Sequence, residues 1–174
     1  GVAKGVGMIH PDMATMLSFV LTDADAQPET LSRMLRPIVA RTWNQTSVDG
    51  DQSTNDTVLL VASGASGAAP VDDDPEALAT LEQAVEAVAR SLSRQQAADG
   101  EGATTLITCA VSGGADDAAA RAAARAVVSS DLLKAAVHGA DPHWGRIAMA
   151  VGNAVVASAT TLEAAGLEAG AAAA

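Results

Sequence analysis

The chain has 174 residues, of which 49% are apolar and 18% charged, enough for an ordinary folded domain and too apolar for a disordered segment. Its formal charge of −11, from 10 basic and 21 acidic residues, argues against nucleic acid and against an anionic membrane surface as partners, because both attract basic surfaces. The lone Cys109 excludes an intrachain disulfide and a four-cysteine zinc site.

The first hundred residues predict two strands and two helices. Apolar runs at residues 15–22 and 57–62 are typical of strands covered on both faces. Between them, Pro28 opens a helix that is expected to run to about Asn44, because apolar residues recur at 3-4 spacing. A second helix with the same spacing begins at Pro75 and ends near Gly100.

The remainder predicts one more strand and three helices. Residues 104–111 are apolar enough for a third strand, in which Cys109 is expected to be a small core residue. Helices are expected at 117–128, at 131–138 and after Arg146, whereas no structure is predicted beyond Asn153. This order predicts an α/β or layered α+β fold with helices packed on a β-sheet.

Common cofactor and metal motifs are incomplete in this chain. Gly5-Val6-Gly7 lacks the third glycine of a dinucleotide-binding turn. Residues 49–56, here called the acidic loop, start like a calcium loop, but Thr54 and Leu60 stand where Gly and Glu are needed. We therefore expect no metal and no cofactor. The longest uncharged run, between Arg146 and Glu163, is too short to span a bilayer, so a cytoplasmic location is expected.

The segment that carries chemistry is a glycine-rich stretch that leads into the first predicted strand. It reads Lys4-Gly5-Val6-Gly7-Met8-Ile9-His10-Pro11-Asp12-Met13-Ala14-Thr15-Met16-Leu17. From the residue types alone, Thr15 at the junction is more readily an ordinary strand residue than a functional one.

Residues 13–17, Met-Ala-Thr-Met-Leu, resemble the self-cleavage signature of the ornithine acetyltransferase (glutamate N-acetyltransferase) family. Four further segments agree with the family in the same order, at residues 48–57, 99–104, 130–134 and 141–146, so the resemblance reaches about residue 153. It implies an N-terminal-nucleophile-like architecture of the ornithine acetyltransferase/aminopeptidase type.

The resemblance implies that the precursor cuts itself between Ala14 and Thr15. Residues 1–14 are then the C-terminal end of an α chain, 15–153 the catalytic domain of a β chain, and 154–174 an Ala-rich tail. The chain looks like the end of the α part joined to a truncated β chain, with the oxyanion-hole groups expected upstream of Gly1. The two chains are expected to associate as an α/β hetero-oligomer.

The resemblance also implies a reaction in arginine biosynthesis. The freed α-amine of Thr15, with a reference pKa of about 7.7–8.0, suits a general base near neutrality. Thr15 takes acetyl from N-acetylornithine, releases ornithine and passes the acetyl group to glutamate, which predicts ping-pong kinetics. No cofactor is implied, although some relatives use acetyl-CoA as the donor.

Two further residues line the substrate site by resemblance. Lys4 would bind the substrate carboxylate, and Glu101 would bind the amino end of ornithine. From the sequence alone, a solvated lysine and a loop carboxylate remain open for these positions. Two other functions also remain open for the chain, namely a related self-cleaving amidase or aminopeptidase, and a truncated remnant without catalytic activity.

Overall fold

The computed structural model describes residues 1–10 and 16–164, with side chains up to residue 155. The chain divides into two compact units, Gly1–Leu106 and Ile107–Ala174. No helix in the described ranges is long and apolar enough to cross a bilayer.

The first unit contains a three-stranded sheet in the order β1-β2-β3. Strand β1 spans Val2–Lys4, β2 spans Leu17–Thr22 and β3 spans Thr57–Ala62. β1 runs antiparallel to β2 and places Lys4 opposite Leu17, while β2 runs parallel to β3 and places Leu17 opposite Thr57. Parallel neighbours need a crossover connection, which here contains a helix.

Helices α1 (Pro28–Arg41) and α2 (Pro75–Ala98) follow the predicted pattern. Each has proline in its first turn, where the missing N–H is not needed. The Asp74 carboxylate caps α2 by accepting hydrogen bonds from the N–H groups of Glu76 and Ala77. Helix α1 ends earlier than predicted, and a 3₁₀ turn at Trp43–Gln45 continues the chain to the predicted end.

The core of this unit lies between the two helices and one face of the sheet. Its members are buried apolar side chains from all these elements, namely Met16, Val20, Leu31, Met34, Ile38, Trp43, Val85 and Ala89. The prediction that the strands are covered on both faces is wrong for this unit. Leu21 and Val61, on the opposite face, are 66% and 47% exposed, because α1 and α2 pack against the other face.

The second unit consists of three helices, α3 (Asp117–Ser129), α4 (Asp131–His138) and α5 (Gly145–Ala164). Side chains cap the first two helices, since Asp116 accepts a hydrogen bond from the Ala119 N–H and Ser130 accepts one from the Leu133 N–H. A small core joins these helices through Val127, Leu133 and Ala150. Cys109 packs against this core, and burial raises the pKa of its thiol, as befits an inert core residue.

Three local features differ from the sequence prediction. Residues 104–111 form no strand, because neither strand pairing in the described part of the chain includes them and an extended segment becomes a strand only by pairing. Conversely, β1 forms in a glycine-rich stretch because β2 is there to pair with it. Helix α5 continues beyond Asn153 to Ala164, in keeping with the high helix propensity of alanine.

Candidate active site

An open pocket of about 570 Å³ lies beside the end of β1. Its wall is the segment from Lys4 to Met8, joined by two residues that are distant in sequence, Asp49 and Glu101. The structure therefore brings Lys4 and Glu101, the two predicted substrate-binding residues, to one pocket. Ala14 and Thr15, the predicted cleavage position and nucleophile, lie outside the described residues.

Lys4 is the last residue of β1, and the core holds its backbone. The buried Gln96 side chain donates from Nε2 to the Lys4 carbonyl oxygen at 3.0 Å, and its Oε1 accepts from the Trp43 indole N–H at 2.8 Å. Trp43 is 1% exposed and Gln96 is 6% exposed. This chain of hydrogen bonds fixes the backbone at Lys4 while leaving its side chain exposed at the pocket.

Glu101 follows the C-terminus of α2 and is held through its backbone. Its N–H donates to the Val6 carbonyl oxygen at 2.6 Å, which ties the loop after α2 to the segment after β1. A Cβ atom on Gly7 would lie 2.7 Å from Glu101 Oε2, so the absence of a side chain at Gly7 leaves room for the Glu101 carboxylate in its present position. Among the described residues, neither the Lys4 ammonium nor the Glu101 carboxylate has an ion-pair partner.

Asp49 lines the same pocket, but its carboxylate binds backbone. Oδ2 accepts from the Met8 N–H at 2.6 Å, and Oδ1 accepts from the N–H groups of Ile9 and Asp51, both at 3.1 Å. Met8 has a φ angle of +52°, an uncommon conformation for a residue with a side chain. Sequence reasoning did not assign a role to Asp49, because its partners lie about forty residues away and no local spacing marks them.

Asp56, at the other end of the acidic loop, binds the backbone next to the predicted nucleophile. Its Oδ1 accepts from the Met16 N–H at 2.7 Å, and the following Thr57 N–H donates to the Met16 carbonyl oxygen at 2.9 Å. Met16 is covalently bonded to Thr15. The acidic loop therefore binds backbone at both of its ends.

The described side chains offer no group of three or more His, Cys, Asp or Glu residues that could hold a metal ion. The pocket instead presents one ammonium and one carboxylate that are open to a ligand, on a wall of glycine and apolar side chains. Such a pair suits a small zwitterionic molecule, because a carboxylate end and an ammonium end each find the opposite charge.

Comparison with known proteins places these observations in a family. The model of the ArgJ family matches residues 1–168. The chain is 50% identical over 152 residues to the arginine biosynthesis bifunctional protein ArgJ of Rhodococcoides fascians, covering 87% of this chain and 36% of that protein. It is 48% identical over 156 residues to the glutamate N-acetyltransferase of Methanopyrus kandleri, covering 90% of this chain and 40% of that protein.

A solved structure agrees with the fold. The crystal structure of the arginine biosynthesis bifunctional protein ArgJ from Bacillus halodurans superposes with a TM-score of 0.77 at 43% sequence identity, covering 80% of this chain and 66% of that one. The chain spans little more than a third of the length of the curated relatives described above.

Proposed function

The chain belongs to the ArgJ family, and from that premise we propose that it is part of a self-cleaving enzyme that transfers acetyl from N-acetylornithine to glutamate. The similar protein from Methanopyrus kandleri is named a glutamate N-acetyltransferase, and others are named arginine biosynthesis proteins. The observation that carries the proposal is the pocket in which Lys4 and Glu101 present opposite charges, because Lys4 lies opposite Leu17, two residues after Thr15, in the sheet.

Self-cleavage is the first step of the proposed mechanism. The Thr15 hydroxyl attacks the Ala14 carbonyl carbon, and the acyl group moves from the Thr15 nitrogen to its oxygen. Water then hydrolyses the ester, leaving a carboxylate on Ala14 and a free α-amine on Thr15. Cleavage consumes one water molecule in total. The new α-amine of Thr15 is the base that activates the hydroxyl of the same residue.

Acetyl transfer then proceeds in two half-reactions. The Thr15 oxygen attacks the acetyl carbonyl carbon of N-acetylornithine, ornithine leaves with a proton, and the acetyl group remains as an ester on Thr15. The glutamate amine attacks that ester, forms N-acetylglutamate and returns the proton to the Thr15 oxygen. Free Thr15 is restored, so the kinetics are ping-pong.

Lys4 and Glu101 are proposed to bind the substrate at its two charged ends. The Lys4 ammonium pairs with the α-carboxylate that both amino acids carry, and the Glu101 carboxylate pairs with the side-chain amine of ornithine. Asp49 is excluded from this second role because its oxygens already accept three backbone hydrogen bonds. Both substrates use the same ammonium, which is consistent with one site serving both half-reactions.

Residues 1–14 are proposed to be the end of the α chain, 15–153 the catalytic domain of the β chain and 154–174 its tail, with both chains remaining associated as a hetero-oligomer. No cofactor enters this scheme, and acetyl-CoA as an alternative donor is tested by supplying it in place of N-acetylornithine. A cytoplasmic location stays a prediction that cell fractionation tests.

The test uses the full-length protein. Intact mass should show two pieces that separate between Ala14 and Thr15, and Thr15→Ala should give one uncut chain. With N-acetylornithine and glutamate, N-acetylglutamate should form, whereas Lys4→Gln and Glu101→Gln should raise KM. Acetate release without transfer to glutamate would identify a hydrolase instead. A fully active Thr15→Ala variant would overturn the proposal.

A further inference from the structure

The acidic loop, residues 49–56, holds a second segment of the chain at two points. At its start, the Asp49 carboxylate binds the N–H groups of Met8 and Ile9. At its end, the Asp56 carboxylate binds the N–H of Met16. The two points lie on opposite sides of the bond between residues 14 and 15.

The backbone that flanks the loop strengthens both points. Next to Asp49, the Val48 N–H donates to the Ile9 carbonyl oxygen at 2.7 Å. Next to Asp56, the Thr57 N–H donates to the Met16 carbonyl oxygen at 2.9 Å. Each end of the loop therefore combines a carboxylate acceptor with a backbone donor, and hydrogen bonds to an ionised acceptor are roughly twice as strong as neutral ones.

The conformation of Met8 indicates that the first point is under strain. A positive φ is energetically unfavourable for any residue that has a side chain. Met8 adopts one, and such a conformation persists only where the surrounding structure enforces it. The Asp49 carboxylate supplies that enforcement by accepting hydrogen bonds from the consecutive N–H groups of Met8 and Ile9. Such strained residues cluster at functional sites, and Met8 lines the pocket.

We propose that the acidic loop is a clamp that holds the polypeptide on both sides of the Ala14–Thr15 bond, with Asp49 and Asp56 as its positioning residues. This inference rests on the proposed self-cleaving function and adds to it the residues that position the bond. Before cleavage, the clamp holds the backbone of Ile9 on one side of the bond and that of Met16 on the other. After cleavage, Asp56 keeps Met16 in place behind the new amine, and Asp49 keeps the pocket wall attached.

The two ends of the clamp should affect different kinetic constants. Loss of Asp56 loosens the residue next to the nucleophile, so it should lower the rate of cleavage and kcat while KM changes little. Loss of Asp49 loosens Met8 in the pocket wall, so it should raise KM. A residue that only stabilised the fold would change the folded fraction without producing this split.

The experiment compares Asp49→Asn, Asp56→Asn and Asp56→Ala in the full-length protein. Asparagine keeps the shape and a neutral acceptor, whereas alanine removes the acceptor, so the two Asp56 variants form a graded pair. Asp74→Asn is the matched control. Asp74 also accepts hydrogen bonds from two backbone N–H groups, but it caps the N-terminus of α2, whereas Gln96, which binds Lys4, lies near the C-terminus of that helix. Hydrogen–deuterium exchange is measured in a Thr15→Ala background, which should keep every chain uncut.

Loss of a clamp contact should raise amide exchange about tenfold or more at that point. Asp49→Asn should raise amide exchange at Met8 and Ile9 but not at Met16. Asp56→Ala should raise amide exchange at Met16 but not at Met8 or Ile9. In the cleavable background, Asp56→Ala should slow cleavage about tenfold, Asp56→Asn less, and Asp74→Asn not at all.

The outcomes separate the clamp from the reaction. Unchanged exchange at Met8, Ile9 and Met16 would overturn the clamp while leaving the proposed function intact. Equal slowing of cleavage by Asp74→Asn would also overturn it, because the effect would then be one of general stability. Cleavage that persists in the Thr15→Ala variant would refute the proposed function, and the exchange pattern would still decide the clamp.

Discussion

Replacing Gln96 by leucine should destabilise the protein and weaken substrate binding at once. Leucine keeps most of the packed volume but removes the acceptor for the Trp43 indole N–H and the donor to the Lys4 carbonyl. Because Trp43 is buried, its unsatisfied N–H costs about 1–3 kcal/mol. The Lys4 carbonyl lies nearer to solvent, so its lost bond costs about 0.5–1.5 kcal/mol.

Together the two losses predict a decrease of about 1.5–4.5 kcal/mol in the free energy of unfolding. For a protein of about 150–250 residues, that lowers the Tm by roughly 3–18 °C, and by less for a longer protein. Calorimetry of the full-length protein measures the Tm, and steady-state kinetics should show a raised KM because the Lys4 backbone is released. The matched control is Gln95→Leu, an exposed neighbour whose amide donates to Ser91.

Gln95→Leu should change the stability by no more than about 0.5 kcal/mol, since it alters only the surface. If Gln96→Leu and Gln95→Leu proved equally stable, the buried hydrogen bonds would contribute nothing net, and the reasoning about Lys4 would fail. Trp43→Phe offers a second check, because it removes the same bond from the other side and its effect should not add to that of Gln96→Leu.

Three further predictions follow from single contacts. Gly7→Ala should raise KM for ornithine-bearing substrates with little loss of folding, because the added Cβ displaces the Glu101 carboxylate; an unchanged KM would contradict this. Met8→Gly should stabilise the Asp49→Asn variant by about 1 kcal/mol in thermal unfolding, because glycine adopts a positive φ without strain. Equal destabilisation by Met8→Gly in the wild-type and Asp49→Asn proteins would show that Met8 is not strained. Glu86→Gln should lower the free energy of unfolding by about 0.5–1 kcal/mol at pH 7. Hydrogen bonding to Arg41 lowers the pKa of Glu86 in the folded protein, so the stability lost in the variant should be present above the pKa that Glu86 has in the unfolded chain. Urea titrations should show this difference from wild type vanishing as the pH falls through the pKa of Glu86 in the folded protein.

The helices are predictable from the sequence because their signals are local. Pro75 and the cap at Asp74 begin α2, and apolar residues four or three apart place its buried face. Asp116 and Ser130 cap the next two helices in the same way. Strands need a partner that the local sequence does not show, so β1 forms where glycines argue against it, and residues 104–111 do not pair despite their apolar character.

The candidate site is only partly predictable for the same reason. Lys4 and Glu101 come from resemblance to a family, and the structure brings them to one pocket. The roles of Asp49, Asp56 and Gln96 depend on contacts across 40 to 92 residues of sequence, which no spacing rule encodes. Asp49 and Asp56 bind backbone rather than another side chain, and such contacts leave no pairwise pattern in one sequence. Gln96 binds both the Lys4 carbonyl and the Trp43 indole, across a separation that no spacing rule connects.

The proposed reaction is tested most directly by following the acetyl group, which is expected to pass through the Thr15 side chain. Full-length protein is incubated with N-acetylornithine that carries an isotopically labelled acetyl group, quenched before glutamate is added, digested and analysed by mass spectrometry. We expect label on the Thr15 oxygen, its loss when glutamate is supplied, and no label in the Thr15→Ala variant. Label on any other residue, or N-acetylglutamate formed without a labelled Thr15, would contradict it.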